Sequence, residues 1–439
     1  GTQNFTTATS SYNTAVGFYA GLNVTTGVQN TLIGANNAID LVSGNYNTTL
    51  GYLALYEDQY GSNSVAVGYA ALQNQRFTTA TNSNNTAVGY SAGDSVTTGT
   101  LNTYIGTSAG AGSQTVSNNT AVGAFAFDAG TGADNTAVGS GALGGASNSA
   151  ASNVAIGKDA GNAITSADDN TIVGTDAMIT CTTGHSNTAI GKRAGRYLTT
   201  GTDNTFVGKE AGQGITGTKL TGNSNTAVGK GAGLLLQGGA TSNVCIGNIS
   251  GQNITDGQQN ITIGHSAETS AATGDNQIVM GESVTGVGNT NFTFGAGTTD
   301  SNIAFGATSI TAPSDQRYKE DITTSTAGLS FIKDLRPVTF KWKKEKDLPT
   351  SHRAYVEGSE SRTMNDYTNH GFIAQEVKTA IDAHSEIKDG FDMWSTDNQP
   401  DGGRQRIGDA SLMPMMVKAV QELSTALDAA LARIATLEG

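Results

Sequence analysis

Short apolar runs recur through the first 300 residues of the chain at a nearly constant interval. The repeated unit is Asn-Thr-Ala-Val/Ile-Gly, which first appears complete at residues 13–17. The intervals between closing glycines are mostly 17 residues, with two intervals of 21 and a shortening to 14 and 11 at the end. A fixed period of this length predicts a solenoid, in which each unit stacks on its neighbours. The closing glycines are Gly17, Gly34, Gly51, Gly68, Gly89, Gly106, Gly123, Gly139, Gly157, Gly174, Gly191, Gly208, Gly229, Gly247, Gly264, Gly281, Gly295 and Gly306.

Each unit predicts one short strand followed by a corner. Thr, Val and Ile favour strands, and alternation puts Thr and Val or Ile on one face and Asn and Ala on the other. The closing glycine allows a backbone corner, and a following Ser-Ala-Gly motif predicts an inward alanine and another turn. Stacked units would align their asparagines into amide ladders. The two longer intervals, residues 70–84 and 212–224, predict protruding loops.

The repeats over residues 13–306 resemble the head repeats of trimeric autotransporter adhesins of the YadA-like type and the shafts of phage tail fibres. The resemblance implies a homotrimer of parallel β-solenoid chains. One unit contributes too little apolar surface to form a core alone, so we expect stability to come from stacking and from neighbouring chains.

The hydrophobic pattern changes at Ser314. Apolar residues at helical spacing over residues 329–335 predict a helix that ends before Pro337, and residues 338–342 alternate as a strand. Residues 371–377 predict a strand that runs into a helix. A last helix is predicted from near Asp409 or Ser411, with a coiled coil over about residues 411–438. Its apolar a/d seam comprises Met413, Met416, Val420, Leu423, Leu427, Ala430, Ile434 and Leu437. The alternative is a helix packed on its own domain.

Composition places a domain boundary at the same point. Only 8 of the 24 Lys and Arg residues and 17 of the 37 Asp and Glu residues lie in residues 1–313, and 50 of the 58 glycines lie there. We therefore predict a repetitive fibre domain over residues 1–313 and a second domain over residues 314–439. The fold class is mainly β, with a solenoid shaft followed by a small α+β domain.

Charge and composition disfavour several kinds of partner. The net charge is −13, which opposes binding to nucleic acid and to anionic membrane surfaces, and the few basic residues of the fibre look isolated along the sequence. No apolar run is long enough for membrane insertion. Cys181 and Cys245 are expected to be small buried side chains, and a disulfide would require distant coils to meet. No cofactor or metal site is expected.

Three motifs in the second domain follow one another in order: Ser314-Asp315-x-Arg317-x-Lys319-Glu320, then the segment 335–342, then the segment 371–377. Together with the final coiled coil, they resemble the self-cleaving intramolecular chaperones that end endosialidase-type phage tail spikes. The resemblance implies a domain that trimerises the fibre, guides its folding, and releases itself by cutting the chain before the motif serine.

When the roles of the family's motif residues are transferred by position, the resemblance implies that Ser314 is the nucleophile and Lys319 the general base. The scissile bond would then join Pro313 to Ser314. A serine hydroxyl is a poor nucleophile without an adjacent base, and a lysine acts as a base near neutral pH only when burial or neighbouring cations lower its pKa. We expect such a pocket to form when chains assemble. A proline before the scissile bond is a local peculiarity that could slow or block the cut.

Supporting roles are expected for four further residues. Asp315 would either orient the serine or cap a following helix, and Arg317 would help to lower the pKa of the lysine. Gln375 and Glu376 would border the site.

The sequence therefore favours a virion tail fibre or spike, made in the host cytoplasm, that binds a glycan or protein on the host surface. Its enzymatic activity would be a single self-cleavage. One alternative is a trimeric bacterial adhesin, although the polar C-terminus lacks the alternation of a membrane β-barrel. Another is a polysaccharide-degrading spike, although the paired carboxylates of a glycosidase are not evident.

Overall fold

The structure is a computed structural model that describes residues 10–145, 148–352, 354–388, 391–396 and 405–438. The chain divides into two compact units, Gly1–Ser314 and Asp315–Gly439. The first is a β-solenoid and the second is a small domain with both helices and strands. The predicted fold class, mainly β with a small terminal domain that ends in a helix, is confirmed.

The described part of the first unit contains strands β1 to β20, most of them three residues long. They are, in chain order, Thr14–Val16, Thr31–Ile33, Thr48–Leu50, Gly61–Ser62, Val65–Val67, Thr81–Asn82, Thr86–Val88, Thr103–Ile105, Thr120–Val122, Thr136–Val138, Val154–Ile156, Thr171–Val173, Thr188–Ile190, Thr205–Val207, Thr226–Val228, Val244–Ile246, Ile261–Ile263, Ile278–Glu282, Asn291–Ala296 and Thr299–Ala304.

Eighteen of these strands form one sheet, in which each strand pairs with the next coil. The pairing is parallel and in register from β1 to β19, so that Thr171, Thr188 and Thr205 lie side by side. The last pairing differs, because β20 runs antiparallel to β19. The unit that closes at Gly306 is therefore a hairpin that caps the stack, and the expectation of a further coil there was wrong.

The asparagine ladder predicted from the repeats is present and buried. Asn170 donates its backbone N–H to Oδ1 of Asn153 at 3.0 Å, and its own Oδ1 accepts the backbone N–H of Asn187 at 2.9 Å. The amide nitrogen of Asn187 donates to Oδ1 of Asn170 at 3.1 Å and to the carbonyl of Gly201 at 2.9 Å. Each buried amide thus joins adjacent coils, which satisfies polar groups that water cannot reach.

Alanine is the usual inward residue of each strand, and larger residues replace it in a few coils. Ala137 and Ala189 are fully buried, as are Tyr104 and Phe206 at the same position of other coils. Space for Phe206 comes from Gly212, where a Cβ would lie 2.3 Å from the ring. Burial raises the pKa of the Tyr104 hydroxyl to about 12. The core holds more than the strand residues, since Leu41, Ile164 and Leu198 from other positions of the coil are also fully buried.

The closing glycines are required by both conformation and space. Gly174 has φ of +137°, and a Cβ there would lie 2.4 Å from the carbonyl oxygen of Gly191 in the next coil. Such a contact is far inside van der Waals distance. The coils can approach this closely only where no side chain stands at the corner.

The two longer intervals are only partly exposed loops. In residues 70–84, Leu72, Gln75 and Phe77 are buried, and only short stretches such as residues 78–80 are exposed. Gln75 donates to the buried carboxylate of Asp58 at 2.8 Å, and burial raises the pKa of that carboxyl. In the second interval, residues 216–219 are exposed. The first insertion thus adds a polar layer to the core in addition to its exposed tip.

The described part of the second unit contains three α-helices, four strands and three short 3-10 turns. The helices are α1 (Leu329–Asp334), α2 (Ala374–Ala383) and α3 (Met413–Glu438), the strands are β21 (Val338–Phe340), β22 (Asn369–Gly371), β23 (Trp394–Thr396) and β24 (Gln405–Ile407), and the turns are Gln316–Tyr318, Glu345–Asp347 and Asp409–Leu412. The last helix thus begins at Met413, after a 3-10 turn at the predicted start. β21 pairs with β22 and β23 with β24, both antiparallel.

The core of the second unit is centred on Phe331 of α1, which packs with Val377 and Ile381 of α2 and with Met393. His384, directly after α2, lies edge-on to the Phe331 ring at 5.4 Å between centroids. Its Nε2 is 2.8 Å from Asp334 and its Nδ1 is 3.1 Å from Glu386. These carboxylates, Asp334 above all, raise the pKa of His384.

The cysteines are Cys181 and Cys245, both free and buried, as expected. Burial raises the pKa of their thiols to about 11 and about 12, respectively. Among the described residues, no helix has the length and apolar character needed to cross a bilayer. The same residues contain no cluster of three or more His, Cys, Asp or Glu side chains at metal-binding distance.

Gly174→Ala should destabilise the solenoid by about 2–5 kcal/mol, because it adds a Cβ at positive φ against the backbone of the next coil. Gly217→Ala is the matched control, since nothing lies within 4 Å of a Cβ at that position. Thermal unfolding of the full chain, followed by circular dichroism, measures both. Equal unfolding midpoints for the two variants would contradict the claim that a side chain at the Gly174 corner destabilises the solenoid.

The second unit should lose stability as pH rises from about 6.5 through the folded-state pKa of His384. The fold raises this pKa, so the folded state holds the proton more tightly, and that contribution is complete only below the unfolded value. The only two tryptophans, Trp342 and Trp394, lie in this unit, so tryptophan fluorescence reports its unfolding in the full chain. His384→Gln should flatten the profile in this window. An identical slope in the variant would exclude His384 as its source.

Candidate functional site

The junction between the two units is an exposed segment. Every residue from 304 to 326 is exposed, including Pro313 and Ser314. The peptide bond between Pro313 and Ser314 is therefore accessible in the single chain. Ser314 is the last residue of the first unit, and Lys319 belongs to the second.

Asp315 and Arg317 form a local cap on the turn that follows Ser314. The Oδ1 of Asp315 accepts the backbone N–H of Arg317 at 2.8 Å, and its carboxylate also pairs with the Arg317 guanidinium at 2.6 Å. The guanidinium, first of all, lowers the pKa of Asp315, and the carboxylate raises the pKa of Arg317. Of the two roles considered for Asp315, the structure displays the cap. The charge of Arg317 is directed at Asp315 in this arrangement.

Lys319 ends the same turn. Its backbone N–H donates to the carbonyl of Gln316 at 3.0 Å, and its side chain is exposed.

The two downstream motifs meet in the fold. Val338 of β21 pairs with Gly371 of β22, and Pro337, Thr339 and Phe372 line an open groove beside them. Sequence order alone does not reveal this contact, which places the Leu-Arg-Pro-Val and Gly-Phe-Ile-Ala motifs on one surface.

Glu376 and Gln375 lie in the first turn of α2. Glu376 forms a two-pronged ion pair with Arg336, with Nε of Arg336 at 2.9 Å from the carboxylate. The pairing raises the pKa of Arg336 and lowers that of Glu376. Gln375 is exposed, and its carbonyl accepts the hydroxyl of Thr379 at 3.0 Å. In the single chain, the ion pair between Glu376 and Arg336 thus links α2 to the segment before β21.

α3 presents two different faces. Met415 and Ala419 face the core of the domain, as does Leu412 in the turn before the helix, and Glu422 accepts the backbone N–H of Leu329 at 2.8 Å. The predicted a/d seam lies on another side and is exposed. Its large residues, from Met413 to Leu437, are 47–79% exposed. The helix therefore packs on its own domain and still offers an unpartnered apolar seam.

The solenoid has a second exposed apolar row, which we call the aliphatic stripe. It consists of the fourth residue of each unit, which points away from the core. Several members are 36–58% exposed, namely Val16, Leu50, Ile105, Ile156, Ile190, Val228, Ile246 and Met280. A continuous aliphatic row on a water-exposed sheet is typical of a protein–protein contact.

Sequence reasoning treated the basic residues of the fibre as isolated, and the fold contradicts this. Lys192, Lys209 and Lys230 occupy the same position in three successive coils, directly after the closing glycine. Because all three lysines have the same position in the repeat, the sequence itself contained the signal that predicts this row. Tyr52, Tyr69 and Tyr90 share that position in earlier coils.

Comparison with known proteins finds a family match in the C-terminal part of the chain. Residues 314–385 match the model of the peptidase family S74, described as the chaperone of endosialidase. No curated protein and no solved structure matches the chain. The match begins at Ser314, the residue that opens the first motif. A chaperone-of-endosialidase segment placed behind a β-solenoid shaft fits a tail fibre or tail spike with a C-terminal chaperone domain.

Proposed function

We propose that this protein is a phage tail fibre or spike that attaches the virion to its host. Its C-terminal domain drives trimerisation and folding and then releases itself by cutting before Ser314. The observation that carries the proposal is the family match that starts at Ser314, directly behind the solenoid and within an exposed segment. The mature shaft would reside in the virion, and its partner would be a glycan or protein on the host surface.

Assembly into a homotrimer is supported by the two exposed apolar rows. The aliphatic stripe runs along the solenoid, and the seam of α3 covers more than three heptads. Because much of the solenoid core is alanine, which buries little surface per residue, burying the stripe would add apolar contact that the single coil lacks. The seam would join the chains at one end, so that the coils of three shafts start in register.

The cleavage chemistry requires only groups of this chain and one water. Oγ of Ser314 attacks the carbonyl carbon of Pro313, while the neutral amine of Lys319 takes the hydroxyl proton. The carbon–nitrogen bond breaks, and the nitrogen of Ser314 receives that proton. The resulting ester between Pro313 and Ser314 is hydrolysed by water, which leaves a carboxylate on Pro313 and restores the serine hydroxyl.

The exposure of Lys319 in the single chain gives cleavage its dependence on assembly. A lysine serves as a base near pH 7 when its surroundings remove water from the amine. The single chain leaves Lys319 exposed, so neighbouring chains would have to supply that environment. Cutting would then report that three chains have assembled correctly.

The cleavage proposal is tested with Ser314→Ala and Lys319→Met in the full chain. We expect the unmodified chain to yield a fragment of residues 314–439 and both variants to stay at full length, because each removes one member of the nucleophile–base pair. Intact mass spectrometry after purification measures the products. Ser309→Ala, in the same exposed segment, is the control and should be cut normally. Cleavage of Ser314→Ala before residue 314 would refute the assignment.

The assembly proposal is tested with Leu427→Glu on the seam of α3. A buried carboxylate in three facing helices should prevent trimerisation, and we expect a monomer that remains uncut. Ala429→Glu adds the same charge on another side of the helix and should leave a trimer. Light scattering coupled to size-exclusion chromatography gives the mass of each variant. A trimeric Leu427→Glu protein would show that the seam does not join the chains.

A further inference from the structure

One corner of the solenoid carries a row of lysines in register. The carbonyl of Lys192 accepts the backbone N–H of Glu210 at 2.9 Å, and the carbonyl of Lys209 accepts that of Gly231 at 2.9 Å. These bonds continue the pairing of the strands beyond the closing glycine. Neighbouring lysines therefore stand about 4.8 Å apart along the stack. Lys158 occupies the same position two coils before Lys192.

The row is unusual within an acidic shaft. Residues 1–313 contain 8 Lys and Arg against 17 Asp and Glu, and four of those eight cations share this single position of the coil. Like charges directly opposite one another on adjacent strands repel, so the arrangement costs stability in the free protein. An anionic ligand would remove that cost.

Neighbouring carboxylates neutralise only part of the row. Lys158 lies 3.3 Å from Asp159, and Lys209 lies 3.7 Å from Glu210. Asp176 is engaged by Arg193 at 3.7 Å, and Arg193 also shares Glu210.

Two lysines of the row have no such counterion. Lys192 and Lys230 are exposed and make no ion pair within the described part of the chain. Their ammonium groups are the ones available to a ligand.

Aromatic rings occupy the same coil position earlier in the stack. Tyr69 stacks on Tyr90 with 4.9 Å between ring centroids and an interplanar angle of 8°, and on Tyr52 at 5.8 Å. All three rings are 44–57% exposed. Because the rings stack on one another, the corner offers exposed ring edges in its earlier coils and ammonium groups in its later coils.

We propose that this corner row binds a linear acidic polysaccharide. Sugar rings would contact the exposed edges of the stacked Tyr52, Tyr69 and Tyr90 rings, and acidic groups farther along the polymer would pair with Lys192 and Lys230. The inference rests on the proposed function, because it assigns the class of host-surface receptor to the same fibre. Nucleic acid is the less favoured polyanion, since the chain carries a net charge of −13 and the cations are confined to one short row.

The test is binding of the purified full chain to immobilised polygalacturonate at low and at physiological salt, with neutral dextran and duplex DNA as comparison surfaces. We expect retention on polygalacturonate that weakens with salt, and none on dextran. Lys192→Gln with Lys230→Gln should weaken binding about three- to tenfold, as expected for two exposed charge contacts. Tyr69→Ala should weaken it about two- to tenfold.

The matched control is Arg76→Gln with Lys219→Gln, which removes two positive charges from the same unit outside the row. It should change binding by less than about twofold at physiological salt, because neither Arg76 nor Lys219 lies in the row. Equal losses for the two double variants would mean that only net charge matters, and would overturn the proposal. So would absence of retention, or tighter binding to DNA.

Two further results separate this proposal from the proposed function. A change in oligomeric mass of the double lysine variant would assign the row to the chain interface and overturn the binding site. A fibre that trimerises and is cut but does not bind polygalacturonate would refute the proposed receptor class and leave the proposed function standing. A fibre that is neither trimeric nor cut, but binds through Lys192 and Lys230, would refute the proposed function alone.

Discussion

The solenoid depends on hydrogen bonds that join each coil to the next. Most coils contribute one three-residue strand and one buried asparagine, and both bond to the coils on either side. The apolar core between them is mostly alanine, which buries little surface per unit. The directional hydrogen bonds therefore fix the register of the coils, and the apolar core fills the space between the strands and corners of each coil. Where a large residue such as Phe206 enters, Gly212 makes room for its ring.

This strict register has a consequence for the surface. Because each coil repeats the previous one at the strand spacing, any residue type that recurs at one position becomes a continuous row. The aliphatic stripe, the tyrosine stack and the lysine row are all produced in this way, and each is on the outside. A surface built of rows suits extended partners, such as a second shaft or a linear polymer.

The C-terminal unit is stabilised by different interactions from those of the solenoid. Its core around Phe331 is that of a small globular domain, and ion pairs such as that of Arg336 with Glu376 tie its elements together. One face of its last helix packs against the domain through Ala419, and another face exposes Leu427 to solvent. Ser314 and Lys319 both lie in an exposed segment.

The sequence alone determined the repeat, the inward positions of asparagine and alanine, the burial of the cysteines, and, in the second domain, the three helices and the strand at residues 338–340. These features are local, since each follows from the side-chain alternation of one unit or one motif. Tertiary structure decided which distant residues meet. The pairing of Val338 with Gly371 joins two motifs, β20 turns back against β19, and part of the 70–84 insertion is buried beside Asp58. The repeat places each lysine directly after a closing glycine, so the row was readable from the sequence, and the paired strands keep it in register where the interval changes from 17 to 21 residues between Lys209 and Lys230.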